Sequence, residues 1–297
     1  MRFRWIISPG ILEIHTNFLP IRGFSICKYN QKYNSELLKN YTSGAEYIYK
    51  CKINDVNIQN LFYPSYQYYY YKKGWYIYTR KIGFLQLKFS YNPKTKTFKT
   101  NRLNALIPFE FGQIWPIGLH LSNIIAVDFL LEKNLLFIHG SALEYKNKII
   151  CIFSPFRTGK TTLIQNMLKK GAKYMSDDVV LTDGKKIYLI PPNSQKLFDF
   201  IDLYNSKKEG EISEILFNIS IKKQIQSKVD TALSLLRIYS KRIPYESDKF
   251  IQAILYYHNL NFKKIEEKCY HILLKLIKNS DIKLCENFKE ICNNIIG

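Results

Sequence analysis

Short apolar runs separated by turn residues dominate the middle of the chain. Ile149-Ile150-Cys151-Ile152-Phe153 has the length and composition of a buried strand. A strand over 135–145 precedes it across the turn Lys146-Asn147. After it, Leu163, Met167 and Leu168 share one side of a helix predicted over 162–170. Gly171 stands where a helix C-terminus favours a left-handed residue. Strands over 179–182 and 186–190 flank Asp183-Gly184, a hairpin signal. Upstream, strands over 66–72 and 75–81 flank Lys73-Gly74, and strands over 84–91 and 97–103 flank Asn92-Pro93-Lys94. These four are predicted to form a meander. Leu119, Ile124, Val127, Leu130 and Leu131 keep near-helical spacing, predicting a helix over 117–133. Beyond residue 199, helices are predicted over 222–239, 248–257, 263–279 and 286–295, with a last strand over 281–284.

That order of elements predicts an α/β protein in two parts: a β-rich domain over 1–104, then a mixed α/β domain over 105–297. The length of 297 residues and the 46% hydrophobic content suffice for a core in each. The formal net charge is +20, and it is uneven. Residues 1–100 hold 16 Lys and Arg against 4 Asp and Glu. Abundant Lys, Asn, Ile and Tyr fit AT-rich coding, which is the plain explanation of the excess. Nucleic acid, an anionic membrane surface and an acidic peptide are the partners such a charge attracts. Tyr68 to Tyr71 beside Lys72, Lys73 and Arg80 can make a base-stacking surface. No recognised nucleic-acid module accompanies them, so the expectation is strand packing.

The six cysteines form no C-x-x-C and no zinc spacing, as expected of free thiols in a reducing cytoplasm. The apolar run at Trp5 stops at Ser8-Pro9, too early for a signal peptide. The most apolar window, 117–138, contains His120, Asp128, Glu132 and Lys133, so no membrane span is expected.

Chemistry concentrates between the predicted strand 149–153 and the helix that follows. Ser154-Pro155-Phe156-Arg157-Thr158-Gly159-Lys160-Thr161 comes close to the phosphate-loop pattern G-x-x-x-x-G-K-[ST], with Ser154 where the first Gly belongs. Polyphosphate needs converging backbone N–H groups, and a loop entering a helix N-terminus supplies them. Gly159 lets the backbone approach, Lys160 reaches the outer phosphates, and the Thr161 hydroxyl joins a magnesium shell. Arg157, Thr158 and Thr162 complete the nucleotide-binding candidates. Asp177-Asp178 follows 17 residues after Lys160, opening the next strand, and His139-Gly140 lies before the loop.

His139-Gly140, the loop 154–161 and Ser176-Asp177-Asp178, in this order and spacing, resemble the HPr kinase/phosphorylase family, and more closely its HPr-kinase-like relatives in modified-peptide pathways. Pro191-Pro192 falls where those relatives carry prolines. The resemblance spans about residues 117–195. It implies a P-loop domain of the phosphoenolpyruvate carboxykinase type, ATP and Mg²⁺ as cofactors, phosphorylation of a serine hydroxyl, and assembly into oligomers. No match to the family's later signature is found, and Glu209, Glu211 and Glu214 are the candidates for its metal-binding Glu. Phosphorylase activity, and HPr as the substrate, therefore stand outside the expectation.

The expected chemistry is transfer of the ATP γ-phosphoryl group to a hydroxyl of a protein, peptide or small molecule. Asp177 is assigned as base and Asp178 as metal ligand with Thr161, the reverse being open. Neighbouring strand residues face opposite ways, so both acids serve one site only if the backbone bends at Ser176-Asp177. His139 is placed beside the attacking hydroxyl or an acid, with a pKa suited to either. Arg237 and Arg242 are phosphate-neutralising candidates, with surface solvation the plainer reading. Two other classes stay open: a degenerate module that binds nucleotide or peptide without turnover, and a basic nucleic-acid binder.

Overall fold

The computed structural model describes residues 3–18, 21, 24, 26, 30–40, 45–53, 66–82, 85–102, 117–154, 159–193, 197, 201, 206–218, 228–240, 254–255, 262–285, 290–291, 293 and 295. The chain forms two compact units. One comprises Met1–Ser25, Tyr29–Ile125 and Pro244–Phe262; the other comprises Ile26–Lys28, Ala126–Ile243 and Lys263–Gly297. The fold is mixed α/β, with a mixed sheet in each unit.

The first unit holds a seven-stranded sheet: β1 (Phe3–Ser8), β2 (Leu12–Thr16), β3 (Tyr47–Ile53), β4 (Tyr66–Lys72), β5 (Trp75–Ile82), β6 (Leu85–Asn92) and β7 (Thr97–Thr100), in the order β1-β2-β3-β7-β6-β5-β4. The expected meander is its right flank, β4 to β7, antiparallel throughout. Lys73 and Gly74 both take positive φ, at 49° and 82°, which is how a two-residue hairpin matches strand twist. The sheet continues where no meander was expected. β3 pairs parallel with both β2 and β7, and β1 pairs antiparallel with β2. One face is the core, built on Trp5, Ile14, Tyr49, Phe89, Tyr91 and Phe98. Full burial of side chains of this size contributes about 1.5–3 kcal/mol each. Helix α1 (Gln31–Asn40) seats the Asn34 amide on the β1 backbone: its Nδ2 donates to the Arg4 carbonyl at 2.7 Å, and its Oδ1 accepts from the Ile6 N–H at 3.0 Å.

The helix expected over 117–133 is α-helical only as α2 (Ile117–Asp128). It then widens into a π turn over Phe129–Lys133 and stops at Asn134, in the left-handed region at φ 54°. His120 of α2 stacks on Phe89, ring centroids 4.9 Å apart.

The second unit holds β8 (Leu136–His139), β9 (Ser141–Tyr145), β10 (Lys148–Phe153), helix α3 (Lys160–Lys169), β11 (Lys173–Ser176), β12 (Val179–Thr182), β13 (Lys186–Tyr188), β14 (Glu209–Asn218), helices α4 (Lys228–Ser240) and α5 (Phe262–Lys278), and β15 (Asp281–Cys285). The sheet order is β11-β9-β10-β14-β13-β12-β8, with β15 also paired to β14. β14 lies parallel to β10 and β15. These three strands therefore end on the same side, where open α/β sheets place their ligands. Leu163, Ile164 and Met167 of α3 pack into a core with Leu143, Ile152, Tyr174 and Leu216.

The single strand expected over 135–145 is two strands. β8 pairs with β12, and β9 pairs with β10 and β11. The change of partner falls at Gly140, where a Cβ would lie 2.5 Å from the Phe153 ring. Only glycine, with no Cβ, leaves room for that ring. Among the described residues no helix is long and apolar enough to cross a membrane. The helix expected over 248–257 lies outside the described residues except at 254 and 255.

Candidate functional site

The site grows from the end of β10. Ser154, fully buried, follows the strand. Gly159 takes φ 94°, which a side chain would strain, and caps α3. Helix α3 starts at Lys160, two residues earlier than the sequence pattern predicts. The N-terminus of α3 carries the positive end of the helix dipole, and a helix start of this kind presents backbone N–H donors. Lys160 opens the helix and is buried. Its ammonium donates to the Ser154 carbonyl at 2.9 Å and lies 3.1 Å from His139 Nε2. An ammonium only donates, so Nε2 accepts and the His139 proton sits on Nδ1. That nitrogen lies 3.5 Å from Asp178 Oδ1.

The bend needed at the acid pair is present. β11 ends at Ser176 and β12 starts at Val179, leaving Asp177-Asp178 as the corner between them. This corner is fastened to the Gly140 corner of the neighbouring strands. The Ser141 hydroxyl donates to the Asp177 carbonyl at 2.6 Å, and the Gly140 N–H to the Asp178 carbonyl at 3.2 Å. Two strands switching partners side by side thus bring His139 next to the acids.

The acids differ in setting. Asp177 is buried at 5% exposure, and its Oδ1 accepts from the Tyr174 hydroxyl at 3.2 Å and the Asn193 N–H at 2.9 Å. The side chain of Asp178 is 45% exposed. Asn193 reaches it too, with Nδ2 donating to Oδ2 at 3.2 Å. One residue therefore holds both carboxylates, the first by its backbone and the second by its side chain. Sequence reasoning missed Asn193 and Tyr174. Pro191-Pro192 marks the return of the chain, but nothing local links residue 193 to the acids.

Lys160, His139, Asp178, Asn193 and Asp177 thus form one connected set. Thr161 lies in the first turn of α3, half-buried, and Thr162 is exposed. Arg157, Thr158 and Arg242 lie outside the described residues, as does the side chain of Arg237. The three glutamate candidates are elsewhere. Glu214 bonds Lys148 at 2.9 Å and Lys283 at 3.3 Å, at the start of β10 rather than its end. Glu211 pairs with Lys185 and Glu209 with Lys186.

Among the described residues no three His, Cys, Asp or Glu side chains converge as a metal site. Mg²⁺ does not need such a cage. It keeps its waters and takes one or two carboxylates beside substrate phosphates. The half-exposed Asp178 carboxylate and the Thr161 hydroxyl are hard oxygen donors of that kind. Among the described thiols, burial pushes Cys51 up to about 12 and raises Cys151 as well.

No family model matches the chain, and no curated protein matches it. Among solved structures, the Hpr(Ser) kinase/phosphatase from Coxiella burnetii is similar over 30% of this chain and 70% of its own, at 13% identity and a TM-score of 0.24.

Proposed function

We propose that the chain is an ATP-dependent kinase that moves the γ-phosphoryl group to a hydroxyl, with serine the acceptor that the resemblance to the HPr kinase/phosphorylase family implies. The observation that carries this reading is the Lys160–His139–Asp178 line, set at the mouth of a left-handed glycine and a helix N-terminus. Phosphoryl transfer asks mainly for position and charge neutralisation. The N–H groups of α3 and the Lys160 ammonium hold the phosphates, Lys160 leaving its contact with the Ser154 carbonyl to do so. Asp178 and Thr161 would hold Mg²⁺, which supplies further neutralisation of the phosphate charge when bound. The acceptor oxygen attacks the γ-phosphorus, the bond to the bridging oxygen breaks, and ADP leaves. Asp177, its Oδ1 held by two donors, takes the hydroxyl proton on the carboxylate. His139, uncharged with its proton on Nδ1, keeps Lys160 and Asp178 in line.

A second reading has its own support. Glu209, Glu211 and Glu214 are all engaged by lysines away from the loop, so the later glutamate of the resembled family has no counterpart among them. That fits a module which binds nucleotide without turning it over. Calorimetry with MgATP, alongside an assay of ADP formation with serine-containing peptides, separates the two. The kinase reading expects binding and turnover, with Lys160→Ala lowering turnover by about 10²–10³-fold. Tight binding without turnover in the wild type selects the module. Wild-type phosphorylation by Lys160→Ala overturns the site.

A further inference from the structure

The seven-stranded sheet carries its charge on one side. Arg4 pairs with His15, His15 with Lys50, and Lys52 with Lys99. Lys99 pairs with Ser90, Thr79 with Lys88, and Lys72 with Trp75. Residues in register share a face, so Arg4, Lys50, Lys52, Lys72, Lys88 and Lys99 lie together, opposite the buried aromatic core. The Lys99 ammonium sits 4.2 Å from the Trp75 ring centroid, consistent with the two sharing that face. Lys50, Lys52 and Lys72 are exposed.

The seven strands supply one carboxylate, Glu13, on the same face. It is already neutralised. Arg4 grips both its oxygens, His15 lies 3.0 Å from one, and although burial opposes it, these partners hold the carboxyl below the usual range. Within the seven strands the lysines therefore make a field of one sign, where a merely solvated face mixes signs. Along a strand, alternate lysines stand about 6.8 Å apart, the spacing of alternate side chains in an extended peptide.

We propose that this face docks an acidic polypeptide. The residue types favour carboxylates over nucleic acid. Five of the six cations are lysines, hydrated point charges without the guanidinium fork that reads bases. Stacking needs open rings, and among the described side chains of this face the one Trp, Tyr or Phe ring, Trp75, is half-buried and already covered by Lys99. The inference stands apart from the kinase reading, since it involves none of the residues of that site.

The test measures anisotropy of fluorescent poly-L-glutamate with the full chain at 50 and 300 mM NaCl (the salt series being the probe of charge). Binding at low salt, weakened at high salt, is expected. Changing Lys50, Lys52, Lys88 and Lys99 together to Gln should weaken it at least tenfold. Changing Lys169, Lys170, Lys173 and Lys278 to Gln removes the same charge from exposed positions elsewhere and should weaken it less than threefold. Lys160→Ala should bind as the wild type does, which separates this face from the phosphate loop. If circular dichroism finds the fourfold variant unfolded, Lys50→Gln with Lys52→Gln replaces it, with about a threefold loss expected. Equal loss in both charge-matched variants, or no loss in the first, overturns the proposal. So does tighter binding of oligothymidylate through the same lysines.

Discussion

The strand β10 has two ends, and acids meet lysines at both in different ways. At its start, Glu214 is bonded by Lys148 and Lys283, and two further glutamates nearby on β14 each take a lysine. Each of these three glutamates meets at least one ammonium directly. At its far end Asp177 and Asp178 share Asn193, and the nearest lysine in the bonded set reaches them only through His139. The first arrangement is finished and only holds strands together. The second leaves an acid half-exposed beside a lysine that is parked on a carbonyl, so charge is available for a ligand. The same residue types make a clasp in one place and a site in the other. What differs is whether each acid meets a lysine directly.

The comparison can be broken first at the far end. Asp177→Asn keeps the shape and removes the base, and phosphoryl transfer should fall by about 10²–10⁴-fold with nucleotide binding retained. Equal turnover by wild type and variant in single-turnover assays would remove Asp177 from the mechanism. Asn193→Ala should act through the acids it holds, lowering turnover by about 10–100-fold and raising the Mg²⁺ concentration needed for half-maximal rate. Unchanged Mg²⁺ dependence would make Asn193 a loop residue only.

At the start of the strand the effect should be on stability alone. Burial by itself would raise the Glu214 carboxyl, but the hydrogen bonds and charges of Lys148 and Lys283 outweigh it, and its pKa is lowered. A depressed folded pKa contributes stability above the unfolded value, near 4.3, that is lost as pH falls through the folded one. Glu214→Gln should therefore cost about 1–2 kcal/mol at pH 7 and less below about pH 4. Urea melts at the two pH values check this; a loss that is the same at both would mean the charge is not what matters.

The two ends were not equally legible in the sequence. The loop end is written locally: an apolar run, Gly159-Lys160-Thr161, then an amphipathic helix with Gly171 behind it. Asp183-Gly184 was equally plain, and its hairpin is closed by Lys185 and Lys186 N–H groups donating to Asp183 Oδ1. The strand β14 was not seen. Its start, Glu209 to Glu211, is polar where it pairs with β13, and its buried apolar residues are Ile212 and the short run Ile215 to Phe217. Its central place depends on parallel pairing with β10 across some sixty residues of chain, which no local period records. Asn193 was hidden for the same reason. Its value lies in what the fold carries to it, and an asparagine after two prolines reads as a turn.

The left edge of the first sheet has a consequence of its own. An outermost strand offers bare N–H and C=O groups that can recruit a strand from another molecule. Asn34 occupies two of those groups on β1 with a side-chain amide shaped like a peptide bond. A second chain cannot zip onto that margin without first prying the α1 residue away, so the sheet carries its own stopper against runaway fibre growth from that side.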